Sequence, residues 1–165
     1  DIGDCRKKLL EKNEYLRKSQ LFLNISLWVI IISCLLICLF AYPLIRYTYG
    51  FQYLAAVSIL QITIFKEIGY AFAQASGTMI ITEGIQKYVV LRNLIGCVIN
   101  IMLNLFLIPN LGVIGAAICS VITAFCTGYL AHAIIPIYGH IFKMQTRSIF
   151  IGWKDLIHVQ KLLKS

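Results

Sequence analysis

At 165 residues the chain is 59% hydrophobic and only 13% charged, with a mean hydropathy of +0.81, well outside the usual globular mix of about half apolar and a quarter charged. A soluble domain of this length has no core large enough to hide several apolar runs of roughly twenty residues each, so the composition excludes a soluble globular protein and points to a membrane bundle. The formal charge of +8 would suit a nucleic-acid binder, but the basic residues gather at the two ends and around one internal loop, beside the apolar segments, where membrane topology accounts for them.

The chain opens at Asp1-Ile2-Gly3 with no methionine and no basic-then-apolar leader, and we expect it to be the C-terminal part of a longer protein. Residues 1–20 alternate charges, with Asp4 and Lys8, and Glu14 and Lys18, at the four-residue spacing that supports a solvated helix. This reads as a cytoplasmic connector whose six basic residues are drawn to acidic headgroups. Residues 21–45 carry no charge and are long enough to cross ~30 Å of hydrocarbon, which makes them the first span. Tyr42, Pro43, Tyr47, Tyr49 and Gly50 then supply interfacial aromatics and a helix stop.

The second span, residues 51–81, places Lys66 and Glu67 at the middle of an apolar run. As one helix it would extend ~46 Å, so it must tilt, protrude, or bend near Gly69 or Gly77. On a helical projection Gln52, Thr63, Lys66, Glu67, Tyr70, Gln74 and Gly77 share a sector of roughly 100°, and this polar sector should face protein or water. A short loop at residues 82–86, with Glu83 and Gly84 as breakers, leads to a third span at residues 87–108. There Asn93, Asn100 and Asn104 return to one helical face, and amides in hydrocarbon require partners. Asn100 and Asn104 serve equally well as interhelical bonds or as contacts for a polar solute.

Pro109, Asn110 and Gly112 predict the next turn, and residues 112–135 the fourth span. Along it Gly112, Ala116, Ser120, Ala124 and Gly128 recur every four residues, a stripe that lets helix backbones approach closely. His132 is the titratable residue of this span and suits an interfacial hydrogen bond. Residues 137–165 form a basic tail in which Trp153, Leu156, Ile157 and Leu163 gather opposite Lys154, Asp155, His158 and Lys161, the pattern of an interfacial helix. Five of the six cysteines fall in apolar segments and Cys5 lies among lysines, so they read as free thiols. Cys34 and Cys38, one turn apart without a nearby carboxylate or histidine, read as small packing residues rather than metal ligands.

The expectation is therefore an all-α polytopic bundle of four membrane helices, spanning residues 21–136, with an interfacial C-terminal helix. Counting Lys and Arg places both chain ends and the loop at residues 82–86 in the cytoplasm, with the turns at Arg46 and Asn110 outside. No metal site, cofactor or nucleic-acid partner is expected. An enzyme is not expected either, because the sequence offers no clustered carboxylates, metal-ligand set or nucleophile with a base.

The string from Val98 to Ala117, which contains Asn100, Asn104, Ile108-Pro109-Asn110-Leu111-Gly112 and Gly115-Ala116-Ala117, resembles a signature late in bacterial polysaccharide flippases of the Wzx type, with Gly84 and Lys87 resembling the basic loop before it. Those proteins share a superfamily with MATE drug exporters and MurJ-type lipid II flippases, and the resemblance covers residues 21–136. It implies the last four helices of a twelve-to-fourteen-helix transporter in the bacterial inner membrane, moving a polyprenyl-pyrophosphate-linked oligosaccharide between two lobes, with the polysaccharide polymerase machinery as a further partner. On this reading Thr63, Gln74, Asn100 and Asn104 offer amide and hydroxyl partners to sugar, Lys66 a cation to pyrophosphate, and Glu67 and Tyr70 share the path. Two rivals are a drug or cation antiporter of the same superfamily, with Glu67 as its ion-binding carboxylate, and a structural membrane subunit that uses only the small-residue stripe.

Overall fold

The computed structural model describes residues 2–154, with side chains from Leu10 onward, and within them every regular element is helical. Helix α1 runs Ile2–Thr48, α2 Ala55–Thr63, α3 Lys66–Thr82, α4 Lys87–Phe125, α5 Ala131–Ile134 and α6 Gly139–Ile151, with short 3-10 turns at Phe51–Tyr53 and Pro136–Tyr138 and a π-turn at Cys126–Leu130.

The connector and the first span are one helix. At 47 residues α1 extends about 70 Å, more than twice the hydrocarbon thickness, so its charged N-terminal part projects beyond any bilayer that the apolar part crosses. It also continues through Pro43 instead of stopping there. The proline removes one backbone bond close to the helix end, and termination waits for Gly50, whose φ of +86° turns the chain.

The second span is interrupted, though not at either glycine proposed for a bend. Between α2 and α3 the Phe65, Glu67 and Ile68 amides bond three residues back, to Ile62, Ile64 and Phe65, so the helix tightens into a 3-10 turn just where the two charges sit. Helix α1 braces this turn: the Cys34 thiol donates to the Ile64 carbonyl at 3.4 Å, and the Gln61 amide donates to the Cys38 carbonyl at 3.1 Å. Helix α3 ends as its sequence predicts. Gly84, at φ +71°, closes a Schellman motif in which the Ile85 amide bonds to the Ile80 carbonyl and the Gly84 amide to that of Ile81.

Among the described residues three helical stretches, not four, are long and apolar enough to cross a membrane: Leu10–Thr48, Ala55–Thr82 and Lys87–Ile134. The third is continuous by hydrogen bonding yet folds back on itself. Gly112 has φ +58° and ψ −136°, outside the helical region, while helix continues through Pro109 and Asn110. The amide of Asn100 reaches the Thr123 hydroxyl at 3.1 Å, although a straight helix would hold the two residues ~35 Å apart. The turn therefore lies at Gly112 alone, and that glycine belongs to the bend and not to the packing face. Ala124 and Gly128 are buried, and a Cβ on Gly128 would meet the Gly69 carbonyl of α3.

The core lies at the end of the bundle near the Gly84 loop, where Leu23 of α1, Ala75, Met79 and Ile80 of α3, and Ile135, Tyr138 and Ile141 come together. Burial raises the Tyr138 phenol above its ordinary range, and its hydroxyl donates to the Ile85 carbonyl at 3.3 Å. Elsewhere large apolar side chains point outward, with Leu39 75% and Phe106 71% exposed, as suits surfaces facing lipid.

Helix α6 begins earlier than the sequence pattern suggests and is pinned into the bundle. Ile141, Gln145 and Ser148 are fully buried on one face. The Gln145 amide donates to the Ser76 hydroxyl at 2.6 Å and to the Gly128 carbonyl at 3.1 Å, while Ser148 bonds to Asn24 of α1. The part of the expected interfacial pattern from Asp155 onward lies outside the described residues.

Candidate functional site

The face of α3 that carries Glu67, Tyr70, Gln74 and Thr78 follows helical spacing, and it opens onto a cleft of about 700 Å³. Helix α1 contributes Ser26 to the walls. Helix α4 contributes Arg92 and Asn93, and the π-turn contributes Thr127. The α3 side is fixed by close backbone contact, because Gly69 and Gly128 bring α3 and the end of the hairpin together with no room for a side chain.

Arg92 is the most unusual member of this cleft. It sits in the second turn of α4 and is only 7% exposed. One guanidinium nitrogen lies 3.3 Å from Nε2 of His132, and Nε makes no hydrogen bond. Nδ1 of His132 lies 2.8 Å from the Gly128 carbonyl, which has no proton to give, so Nδ1 carries the ring proton and donates. Nε2 then accepts the hydrogen bond that Arg92 donates, the proton stays on the guanidinium, and the imidazole is neutral. Among the described residues no carboxylate forms an ion pair with Arg92. A buried guanidinium supported by a neutral ring keeps its full charge available to an anion in the cleft.

Of the residues singled out from sequence, Glu67, Tyr70 and Gln74 line this cleft together with Asn93, whereas Thr63 and Lys66 are not among its walls. Lys66 opens α3 and Glu67 lies in its first turn, where a carboxylate complements the helix dipole. Neither makes an ion pair among the described residues. The other two asparagines are engaged with each other and with the hairpin: the Asn104 amide donates to the Asn100 side-chain carbonyl at 2.9 Å, and Asn100 donates to Thr123. Asn104 keeps one buried carbonyl oxygen without a partner.

Sequence reasoning passed over Arg92, counting it only as a basic flank of the cytoplasmic loop. Its position five residues after Lys87, inside an apolar helix, was the available signal. The convergence of His132 and Gln145 on the Gly128 carbonyl had no such signal, since it depends on the π-turn and on the docking of α6.

A scan against protein-family models, a search of the curated proteins and a search of the solved structures each return no match.

Proposed function

We propose that the chain is one lobe of a membrane transporter that flips a polyprenyl-pyrophosphate-linked oligosaccharide across the cytoplasmic membrane of a bacterium for surface polysaccharide synthesis. The observation that carries this reading is the buried cation Arg92, without a carboxylate partner among the described residues, facing a cleft whose walls also carry the amides of Gln74 and Asn93, the hydroxyls of Ser26, Tyr70, Thr78 and Thr127, the Glu67 carboxylate and apolar side chains such as Phe22 and Ile30. A pyrophosphate calls for a guanidinium, and a sugar calls for groups such as Gln74, Asn93 and Tyr70. Treating the two limbs of α4 as separate crossings, about 37 Å and 33 Å long, gives four spans with both ends cytoplasmic, in accord with the charge distribution. The opposing lobe completes the path, and the two rock against each other to open it to either side. The resemblance also implies a place beside the polysaccharide polymerase machinery.

A second reading is favoured by Glu67, a cleft carboxylate without an ion-pair partner among the described residues: a drug or cation antiporter in which this group carries the ion. Replacing the cleft residue Glu67 by alanine in the native cell separates the two. A flippase loses surface polysaccharide at near-normal protein abundance. An antiporter keeps its polysaccharide and becomes drug-sensitive.

A further inference from the structure

The docking of α6 builds a second polar cavity, distinct from the cleft around Arg92. Along α6 the residues His140, Lys143, Met144 and Arg147 follow the i, i+3, i+4, i+7 spacing of one helical face, adjacent to the face that Ile141, Gln145 and Ser148 bury in the bundle. Opposite them α1 presents Glu14, Arg17, Lys18 and Leu21, and the two helices enclose a groove of about 910 Å³. Its walls are held in place. The Gln20 amide nitrogen of α1 bonds to the Met144 carbonyl at 3.0 Å and to the Ser148 hydroxyl at 2.8 Å, and the Trp28 indole bonds to the Ser148 carbonyl at 2.9 Å. Behind them Gly152 leaves no space for a side chain between Ser148 and Trp28.

The charge in this groove is unbalanced. Among the described residues its one lining carboxylate, Glu14, is already bonded to Lys18 at 2.8 Å, and His140 is turned to Glu83 of the neighbouring loop at 2.9 Å. Arg17, Lys143 and Arg147 make no ion pair among the described residues. The groove also lies at the level where α1 passes from its charged part to its uncharged part, between Lys18 and Leu21, with Leu16, Leu21 and Met144 in the same walls. Cations and apolar side chains share the walls of one groove at the edge of the uncharged part of α1, a combination that matches a molecule with an anionic head and a hydrocarbon tail reaching it from the membrane.

We infer that the groove between α1 and α6 binds the phosphate headgroup of an acidic membrane phospholipid, with Arg17, Lys143 and Arg147 as its charged contacts. This follows from the position of the groove against the membrane spans and does not depend on what the cleft around Arg92 transports. A bound lipid would tie α6 to α1 on the side that the Gln20 and Ser148 bonds leave open.

The test is lipid binding by the purified full chain, read by native mass spectrometry from detergent with phosphatidylglycerol, with phosphatidylcholine of the same acyl chains, and with inorganic pyrophosphate. The chain should retain phosphatidylglycerol in preference to phosphatidylcholine. Combining Lys143→Gln with Arg147→Gln should weaken phosphatidylglycerol roughly twenty-five-fold, at about fivefold per cation near the membrane surface. Combining Lys12→Gln with Lys87→Gln, which removes the same charge outside the groove, should leave binding within about twofold. Arg17→Gln, on the opposite wall, gives an independent loss of about fivefold should the α6 pair impair folding. Equal losses in the groove and control pairs, undiminished binding in the α6 pair and in Arg17→Gln, or pyrophosphate binding as tightly as the lipid would each overturn the inference.

Discussion

Arg92 and His132, forty positions apart, meet in the interior of the bundle with guanidinium and imidazole nitrogens 3.3 Å apart. Because the other ring nitrogen donates to the Gly128 carbonyl, the histidine orients the arginine without neutralising it. Replacing His132 by alanine leaves that arginine proton without its acceptor in a buried site, at a cost of about 1–3 kcal/mol. The variant should melt at lower temperature than the parent in detergent, and an unchanged melting temperature would show that the pair does not bear on stability.

The crossing of α3 with the π-turn depends on Gly69 and Gly128. A methyl group on Gly128 would run into the Gly69 carbonyl, and both partners are backbone, which cannot rotate away. Gly128→Ala should therefore destabilise the bundle by about 1–3 kcal/mol, an overpacking effect. Size-exclusion profiles after graded heating measure this directly. Gly77→Ala is the matched control, because nothing lies within 4 Å of a Cβ there.

The hairpin in α4 makes a geometric prediction. A Cβ placed on Gly96 would lie 3.6 Å from that of Thr127, inside the range that disulfides require. Gly96→Cys with Thr127→Cys, in a background lacking the native thiols, should form an intramolecular cross-link on mild oxidation, seen as a faster-migrating band that reductant abolishes. A straight third helix would hold the two sites far apart and give no such band.

If the two limbs of that hairpin cross the membrane separately, cysteines introduced at Ser19 and Asn110 of the same thiol-free protein should face opposite sides. An impermeant thiol reagent added to intact cells should label the Asn110 position and spare the Ser19 position. Labelling of both, or of Ser19 alone, would refute this topology.

These features were not equally legible in the sequence. Gly50 and Gly84 end helices because the turns demand positive φ, and helical spacing alone groups Glu67, Tyr70 and Gln74, which share the cleft, with Thr63 and Lys66, which fall outside it. Pro109 misled in its position but not in its meaning: the chain does reverse there, three residues later, because Gly112 reaches the required backbone angles and Pro109 and Asn110 remain compatible with helix. The burial of α6 was hidden by composition. Lys143 and Arg147 interrupt its apolar pattern, so hydropathy places it at the surface, whereas Gln145 and Ser148 bury themselves by finding partners that only the folded chain supplies. Arg92 was obscured by a counting rule, since positive charge near a loop reads as topology whether or not the side chain turns inward.

The most direct test of the transport reading is Arg92→Gln, which keeps a polar amide at the position while the positive charge is lost. The measurement is surface polysaccharide in cells whose own copy is replaced by the variant, normalised to folded protein extracted from the membrane. We expect at least a roughly tenfold fall in polysaccharide per folded molecule, the scale of one lost charge-assisted contact, with folded protein within about twofold of the parent and part of the activity restored by Arg92→Lys. Undiminished polysaccharide at normal abundance, or a fall that merely tracks the amount of folded protein, would contradict the assignment of Arg92 and its cleft to the transported anion.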